Sequence, residues 1–472
     1  GYFDLQSGTY YGDYPSIGLS PDIFDETVVW VTYDTALPIE GNTFVWDPIC
    51  GGRKISCSNS ASKPAVYDGI VVWTDRRNGD DDIYMAKIPA CSAEPVIYVD
   101  GEDGDDTNDG KSPQTALATI QHAINISVDG ATVVLLPGTY AGDGNRDIDF
   151  VGKAITIKSQ AGPGTCVIDC QGSKHDPHSG VYIYAENAGT AILDGVTITN
   201  GYFEGAGGGI NCQTGGIVSN CIITNNKARY GGGIAIGDGT VVNCVISDNT
   251  AFEGPGNYSW IRGGYGGGIY ATGEYPFIVN CTIVANKAFH SAGGIACGGV
   301  RSFATMENCI IAGNNGIQFD LSSPVNGGGG DPIVLPMGLV VRSSCIHSDS
   351  CIDASGEPCS QDSSTRSLTL EDNVYTADVR FVDAEGGDFR LLPDSPCIDA
   401  GTNTTSVELP DMDIAGNPRI TDGNRDGTQR IDMGAYEAPA PDRPYIVASP
   451  STLTFIAGPD RPGPHPQTVS IR

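Results

Sequence analysis

The chain has no run of 18 apolar residues, so no stretch reads as a membrane-spanning helix. It has no Cys-x-x-Cys-His, which excludes covalent c-type haem, and no Cys-x-x-Cys pairs at zinc spacing. Neither haem nor a nucleotide is expected. Basic residues are scarce: 26 Lys and Arg stand against 57 Asp and Glu, a formal net charge of -31 over 472 residues. Such a surface repels nucleic acid and anionic membranes, and suits divalent cations, high salt or simple solubility. Tryptophan is rare, 4 residues beside 13 Phe and 20 Tyr. No signal peptide is visible from Gly1, so a secreted chain has lost it or begins after it.

What is abundant is glycine, 64 residues without a collagen period, which points to turn-dense β structure. The length suits two to four domains. Two stretches near the start align without gaps 43 residues apart: "SPDIFDETVVWV" from Ser20 and "KPAVYDGIVVWT" from Lys63, with Trp30 on Trp73 and Pro21 on Pro64. Each continues through a polar turn into a second strand, the period of a propeller blade. One further step back makes "GYFDL" the tail of a blade. Two and a half blades do not close a propeller.

A second repeat fills the middle. Aligned on Cys221, Cys244, Cys281 and Cys309, each copy has Val218, Val241, Ile278 or Met306 three residues before. Ile223, Ile246, Ile283 or Ile311 comes two after, and Asn226, Asn249, Asn286 or Asn314 five after. Short strands and Gly turns at this period read as a β-solenoid, whose coils stack about 4.8 Å apart. In a strand, Cys and the Ile two residues on share one side, the interior. The four cysteines therefore read as an internal thiol ladder, with Cys212 and Cys297 in a second inner column beside Ile236 and Ala271. The Asn at the turn tolerates αL geometry and bonds to the Asn above and below. "KSPQTALATIQHAINIS" predicts a short amphipathic capping helix near 113–127, with Ser112 as N-cap and Pro113 at its first position.

These stretches, over roughly residues 96–437, resemble the right-handed parallel β-helix proteins of secreted bacterial surface families. "TNDGKSPQTALATIQHAI" and "LLPGTY" are similar to the way those proteins begin. "GGDFRLLPDSPCIDAGTN" followed by "DIAGNPRITDGNRDGTQRIDMGAYE" resembles their choice-of-anchor module, and the Gly-Gly-x-Ile repeats are similar to polymorphic outer-membrane proteins. "KPAVYDGIVVWTDRRNGDDDIYM" resembles blades of the TolB-like propeller family. "YIVASPSTLTFIAG" with "HPQTVSIR" resembles the first two strands of a bacterial Ig-like domain. The expected fold is all-β: partial propeller-like blades at 1–92, a right-handed parallel β-helix with a capping helix at 96–400, an Asp/Gly-rich anchor-type module at 401–440, and Ig-like strands at 445–472. β-Helices host lyases, adhesins and fibres alike, so the fold alone names no activity.

Candidate chemistry is thin. Asp422, Asn424, Asp426 and Asp432 around Gly427 resemble the start of a Ca²⁺ loop. Asp103, Asp105, Asp106, Asn108 and Asp109, after Asp100, form a second acidic run that needs a cation or backbone N–H groups to hold it together. Calcium is the one cofactor these suggest. Cys50 with Cys57, and Cys351 with Cys359, bracket polar loops and are candidate disulfides. Asn125, Asn257, Asn280 and Asn403 fit the N-glycosylation pattern. A lyase needs carboxylates and an Arg or Lys base on an outward face. The residues after each Cys (Ile222, Val245, Thr282 and Ile310) and two before (Ser219, Val242, Val279 and Glu307) lack that set. His175, Asp176 and His178 are the best-clustered candidates in the coils. Tyr258, Trp260, Arg262 and Tyr265, in the largest insertion, suit contact with sugar or protein.

The outward Ile-Val-Thr-Ile strip calls for a cover, from a domain of this chain or a neighbouring subunit. With unclosed blades and a C-terminal strand pair, it suggests an extracellular filament assembled by self-association. The expected role is thus a non-catalytic, secreted or cell-surface structural or adhesive protein, whose partners are copies of itself, other surface proteins or glycans. The alternative is a lyase-like glycan-active enzyme or a glycan-binding module.

Overall fold

The computed structural model describes residues 95–185, 189–255, 263–290, 292–298, 302–315, 337–347, 366–376 and 378–439, with nine strands between 2 and 87 and short strands at 319–320, 448–449 and 470–471. The chain divides into two compact units, Gly1–Glu94 and Pro95–Arg472. In the first, both copies of the 43-residue repeat are antiparallel meanders. One runs Leu19–Phe24, Thr27–Tyr33, Gly41–Asp47 and Gly51–Lys54; the other runs Ala61–Tyr67, Ile70–Asp75 and Asp82–Lys87. Val71 and Trp73 are buried, and Trp73 stacks on Tyr84 at 6.2 Å.

The second unit is a parallel β-helix. Its first sheet has ten strands, from Val96–Val99 to Arg366–Glu371; its second has nine, from Gly138–Ala141 to Val374–Thr376; its third has seven, from Ile148–Asp149 to Phe319–Asp320. A fourth, short sheet contains Tyr202–Ala206, Lys227–Tyr230, Thr250–Ala251 and Lys287–Ala288. Strand order follows chain order in all four, so each strand pairs with its equivalent in the next coil.

One coil shows why. Val218, Cys221, Ile223, Asn226, Ala228, Ile234 and Ile236 all point inward and are 0% exposed. Two αL residues per coil turn the chain between sheets: Asn220 and Asn225, Asn243 and Asp248, Asn280 and Ala285, Asn308 and Gly313. The cysteines thus follow a corner and do not lie within a strand, and the αL residue is the neighbour of Asn226, Asn249, Asn286 and Asn314, not those asparagines themselves. Those four form a buried ladder. The backbone N–H and side-chain amide of Asn226 both donate to Asn249 Oδ1, at 2.9 and 3.1 Å. Asn249 repeats this on Asn286, and Asn286 on Asn314.

Among the described residues, Ala285 is the one alanine at an αL corner, at φ 55°. Left-handed geometry costs an L-residue with a Cβ about 1–2 kcal/mol. Ala285→Gly is expected to raise stability by about 1 kcal/mol, read as an upward shift of the thermal midpoint.

The predicted capping helix is shorter than its sequence pattern. Pro113–Thr115 is a 3₁₀ turn, for which Ser112 makes no side-chain cap bond. The α-helix is Ile120–Ile126, capped by Thr119, whose Oγ1 accepts from His122 N. Between them the chain is extended and Leu117 bridges Val99, so the apolar period belongs partly to a strand-like segment. Ile120, Ala123 and Ile124 are fully buried against the first coil.

The last coil strand ends at Thr376, earlier than residue 400. From 378 to 439 the chain folds back over the second sheet. An antiparallel hairpin, Phe381–Asp383 with Asp388–Leu391, brings Phe389 and Leu391 into one apolar cluster with Val245, Val284 and Ile310. Val245, Thr282 and Ile310 are at most 2% exposed. The outward strip therefore has its cover within this chain and gives no support to a neighbouring subunit. Gly434 lies so close that a Cβ there would meet Ile310 Cδ1 and Thr282 Oγ1 at 2.7 Å. The strands Ala448–Ser449 and Ser470–Ile471 pair with each other, antiparallel.

Candidate functional site

With the second sheet covered, the short fourth sheet carries the most distinctive open surface. Its register aligns Tyr202, Lys227, Thr250 and Lys287, while Ala228 and Ala251 turn inward. The ladder continues past each strand: Phe252 N donates to Ala228 O at 2.8 Å and Phe289 N to Ala251 O at 3.0 Å. Aromatic rings thereby recur along the stack. Tyr202 and Phe252 lie 4.8 Å apart and nearly parallel, and Tyr230 meets Tyr270 at 5.2 Å. Phe203 and Phe289 are exposed. Tyr182 and Tyr184 pair at 5.0 Å on the neighbouring third sheet.

Charge is interleaved with the rings. Arg229 Nη2 pairs with Glu204 Oε2 at 2.9 Å, and His290 Nε2 with Glu253 Oε1 at 3.4 Å. Arg229 is walled by backbone: a Cβ on Gly254 would stand 2.2 Å from its Nε. Partial burial, helped by the charge of Glu204, raises the Tyr202 phenol above its ordinary pKa. With Glu204 ion-paired to Arg229 and Glu253 held against His290, the strip offers hydrogen-bonding edges and ring faces.

His178 sits where this strip begins, its carbonyl accepting Tyr202 N at 2.7 Å. Its Nδ1 meets Asp147 Oδ2 at 2.5 Å and its Nε2 meets Asp176 Oδ1 at 3.3 Å. Asp147 also accepts Ser179 N and Ser179 Oγ. With both ring nitrogens held by carboxylates, His178 ties two loops together; His175 points to solvent without joining it. The sequence paired His178 with Asp176, but Asp147 was out of sight 31 residues earlier.

The acidic run at 100–109 is held by N–H and hydroxyl groups. Asp106 accepts from Ala118 N, Thr119 N and Thr119 Oγ1; Asp105 accepts from Thr107 and Asp109 from Lys111 N and Thr115 Oγ1. These bonds lower the Asp105 and Asp109 pKa values. Asn108 donates to Ala116 O, and Asp103 N is itself capped by Asp100. In the other loop, Asp422 Oδ2 accepts Gly427 N, Asn424 Oδ1 accepts Asp426 N, and Asp426 Oδ1 accepts Thr428 N. Asp432 instead turns into the core, accepting Asp399 N and Ala438 N. Asp422 Oδ1 is buried without a partner, yet no three His, Cys, Asp or Glu side chains among the described residues converge as a metal site would need.

Cys221, Cys244, Cys281 and Cys309 are fully buried, each thiol donating to the carbonyl two residues back. Cys212 and Cys297 share a column with Ile236 and Ala271, and burial pushes the Cys212 thiol up to about 12. Tyr265 is 5% exposed, stacked beside Tyr230, and presents little surface to a ligand. Tyr258, Trp260 and Arg262, and the pairs Cys50 with Cys57 and Cys351 with Cys359, lie outside the described residues.

Glu307, two before its Cys, is spent on docking: it accepts Ser406 N at 2.7 Å and Ser406 Oγ at 2.8 Å. The corner asparagines do the same. Asn243 donates to Met412 O, Asn280 to Asp432 O and Gly434 O, and Asn308 to Thr402 O. Asn280, one of the glycosylation patterns, is thus fully covered. A cleft of about 660 Å³ opens beside this contact, between 403–411, Pro418–Ile420 and Ile431.

Residues 153–328 match the family model described as "Right handed beta helix region". Comparison with curated proteins found none that matches. Among solved structures, the chain is similar to pectate lyase Pel9A at 17% identity, covering 74% of this chain and 97% of that one with a TM-score of 0.40. It is similar to a rhamnogalacturonan lyase at 14% identity, covering 66% and 97%, TM-score 0.37. A pectin methylesterase from Aspergillus niger, in deglycosylated form, is 14% identical over 68% and 93%, TM-score 0.30. At these identities none lends its activity to this chain. The parallel sheets and the family match agree on the architecture: residues from Pro95 on are built around a right-handed parallel β-helix.

Proposed function

We propose that the chain is a non-catalytic, adhesive β-helix of the cell surface or extracellular space that holds an uncharged polysaccharide along its fourth sheet. The observation that carries this is the strip of rings along the stack, Tyr202 with Phe252 two coils on and Tyr230 with Tyr270 of the adjoining third sheet, interleaved with Glu204–Arg229 and Lys227. The C–H faces of sugar rings lie favourably on aromatic faces, and their hydroxyls pair with carboxylate, guanidinium and ammonium groups. A strip running along the stacking axis lets an extended polymer make repeated contacts, which multiplies weak affinities. The net charge of -31 argues against polyanionic uronates as the ligand. The extracellular placement rests on the resemblance of the coils to secreted surface proteins.

Retardation in gels containing neutral or uronate polysaccharides tests this. Neutral polymer is expected to retard the wild-type chain, with Tyr202→Ala and Phe252→Ala each weakening affinity about tenfold. Thr305→Ala, on the first sheet, is expected to change nothing. Equal retardation of all variants would sink the reading, and release of unsaturated sugar ends would replace it with lyase action.

A further inference from the structure

Two cysteines meet across the contact between the β-helix and the segment that covers it. Cys345 stands on the outward side of the second sheet, in register with Ile310 before it and Val374 after it. Cys397 belongs to the covering segment, where its carbonyl accepts Met433 N at 3.0 Å. Both are 0% exposed and lie in the same apolar cluster. Both are free thiols in this structure and lie beside each other. The ladder thiols also neighbour one another, and each has a carbonyl of its own coil at 3.0–3.3 Å. What sets Cys345 and Cys397 apart is topology, since a bond here would tie the coils to a segment of different architecture.

We propose that Cys345 and Cys397 form a disulfide that staples the C-terminal segment onto the β-helix. The electrons balance through exchange with an external disulfide such as oxidised glutathione. One thiolate attacks that disulfide and releases one thiol; the second thiolate then attacks the mixed disulfide and releases the other. Two protons and two electrons leave the cysteines as the S–S bond forms, and the external disulfide is reduced to two thiols. Because both sulfurs are sealed once the segment has closed, exchange takes place during folding. Thereafter reductants reach the bond only when the segment opens.

The test uses the full chain folded in a glutathione redox buffer, then denatured, alkylated and digested without reduction. A linked peptide pair carrying Cys345 and Cys397 is expected. Alkylation of both cysteines, or linkage of either to a different partner, overturns the proposal. Thermal unfolding gives a second reading. Refolding in reductant is expected to lower the wild-type midpoint by more than it lowers those of Cys345→Ala and Cys397→Ala. Equal shifts in all three proteins overturn it.

Discussion

Asn249→Ala is expected to lower the unfolding free energy by about 3–5 kcal/mol, read from urea denaturation. Asn249 is fully buried, and all four of its bonds are internal. Its Oδ1 accepts the backbone N–H and the side-chain amide of Asn226; its amide donates to Ile223 O at 2.8 Å and to Asn286 Oδ1 at 3.0 Å. Truncation orphans two donors and a carbonyl on the preceding coil, each at about 1–3 kcal/mol. Asn249→Asp keeps the acceptor but loses the donor and buries a charge, so it is expected to destabilise as well. By contrast Asn225→Gly, at the adjacent exposed αL corner, is expected to change little. An Asn249→Ala loss below about 1 kcal/mol would show that water replaces the ladder bonds and that the asparagines are not what locks the coils together.

Arg419→Ala is expected to release the C-terminal segment from the second sheet, at a cost of about 3–5 kcal/mol. The guanidinium is 3% exposed, pairs with Glu437 Oε1 at 2.7 Å and donates to Asn243 Oδ1 on the β-helix. Removing it strands Glu437, whose side chain is wholly buried, beside Asp432. Two buried carboxyls compete for one cation here. Burial raises Asp432 to about 7 and Glu437 to about 8; the charge of Asp399 adds to the first shift and that of Asp432 to the second, while Arg419 opposes both. Both folded pKa values lie above the unfolded ones. The stability these groups contribute is therefore complete in acid and falls as pH rises through about 7 to 8. Glu437→Gln is expected to flatten that decline, which runs from the ordinary carboxyl range up to about pH 8, while keeping a hydrogen bond to Arg419. Sedimentation would report the consequence of release, because exposing Val245, Ile310 and Met433 creates an apolar patch that drives self-association.

The coil pattern was legible in the sequence because its inward residues recur with little variation: an apolar residue, Cys, Ile, then Asn. The position of the second bend was displaced by one residue, since the ladder Asn can itself adopt αL while the residue that does so varies as Asn225, Asp248, Ala285 and Gly313. The helix was over-extended because Leu117 fits a helical face while pairing with Val99. The cover over Ile310 and Val245 was open between this chain and another, because the asparagines that receive it find their partners 94 to 169 residues away. The aromatic strip was missed although a signal exists. Three residues after the ladder positions Asn226, Asn249 and Asn286 stand Arg229, Phe252 and Phe289, each preceded by an Ala. Tyr265, which the sequence offers as a contact residue, is buried by the fold.

The most direct test of the functional reading is hydrogen exchange of the full chain with and without a bound uncharged polysaccharide. Protection confined to 202–206, 227–230, 250–254 and 287–290 is the expected result. Protection centred on the cleft at 403–411, or no protection on the fourth sheet at saturating polymer, would contradict it.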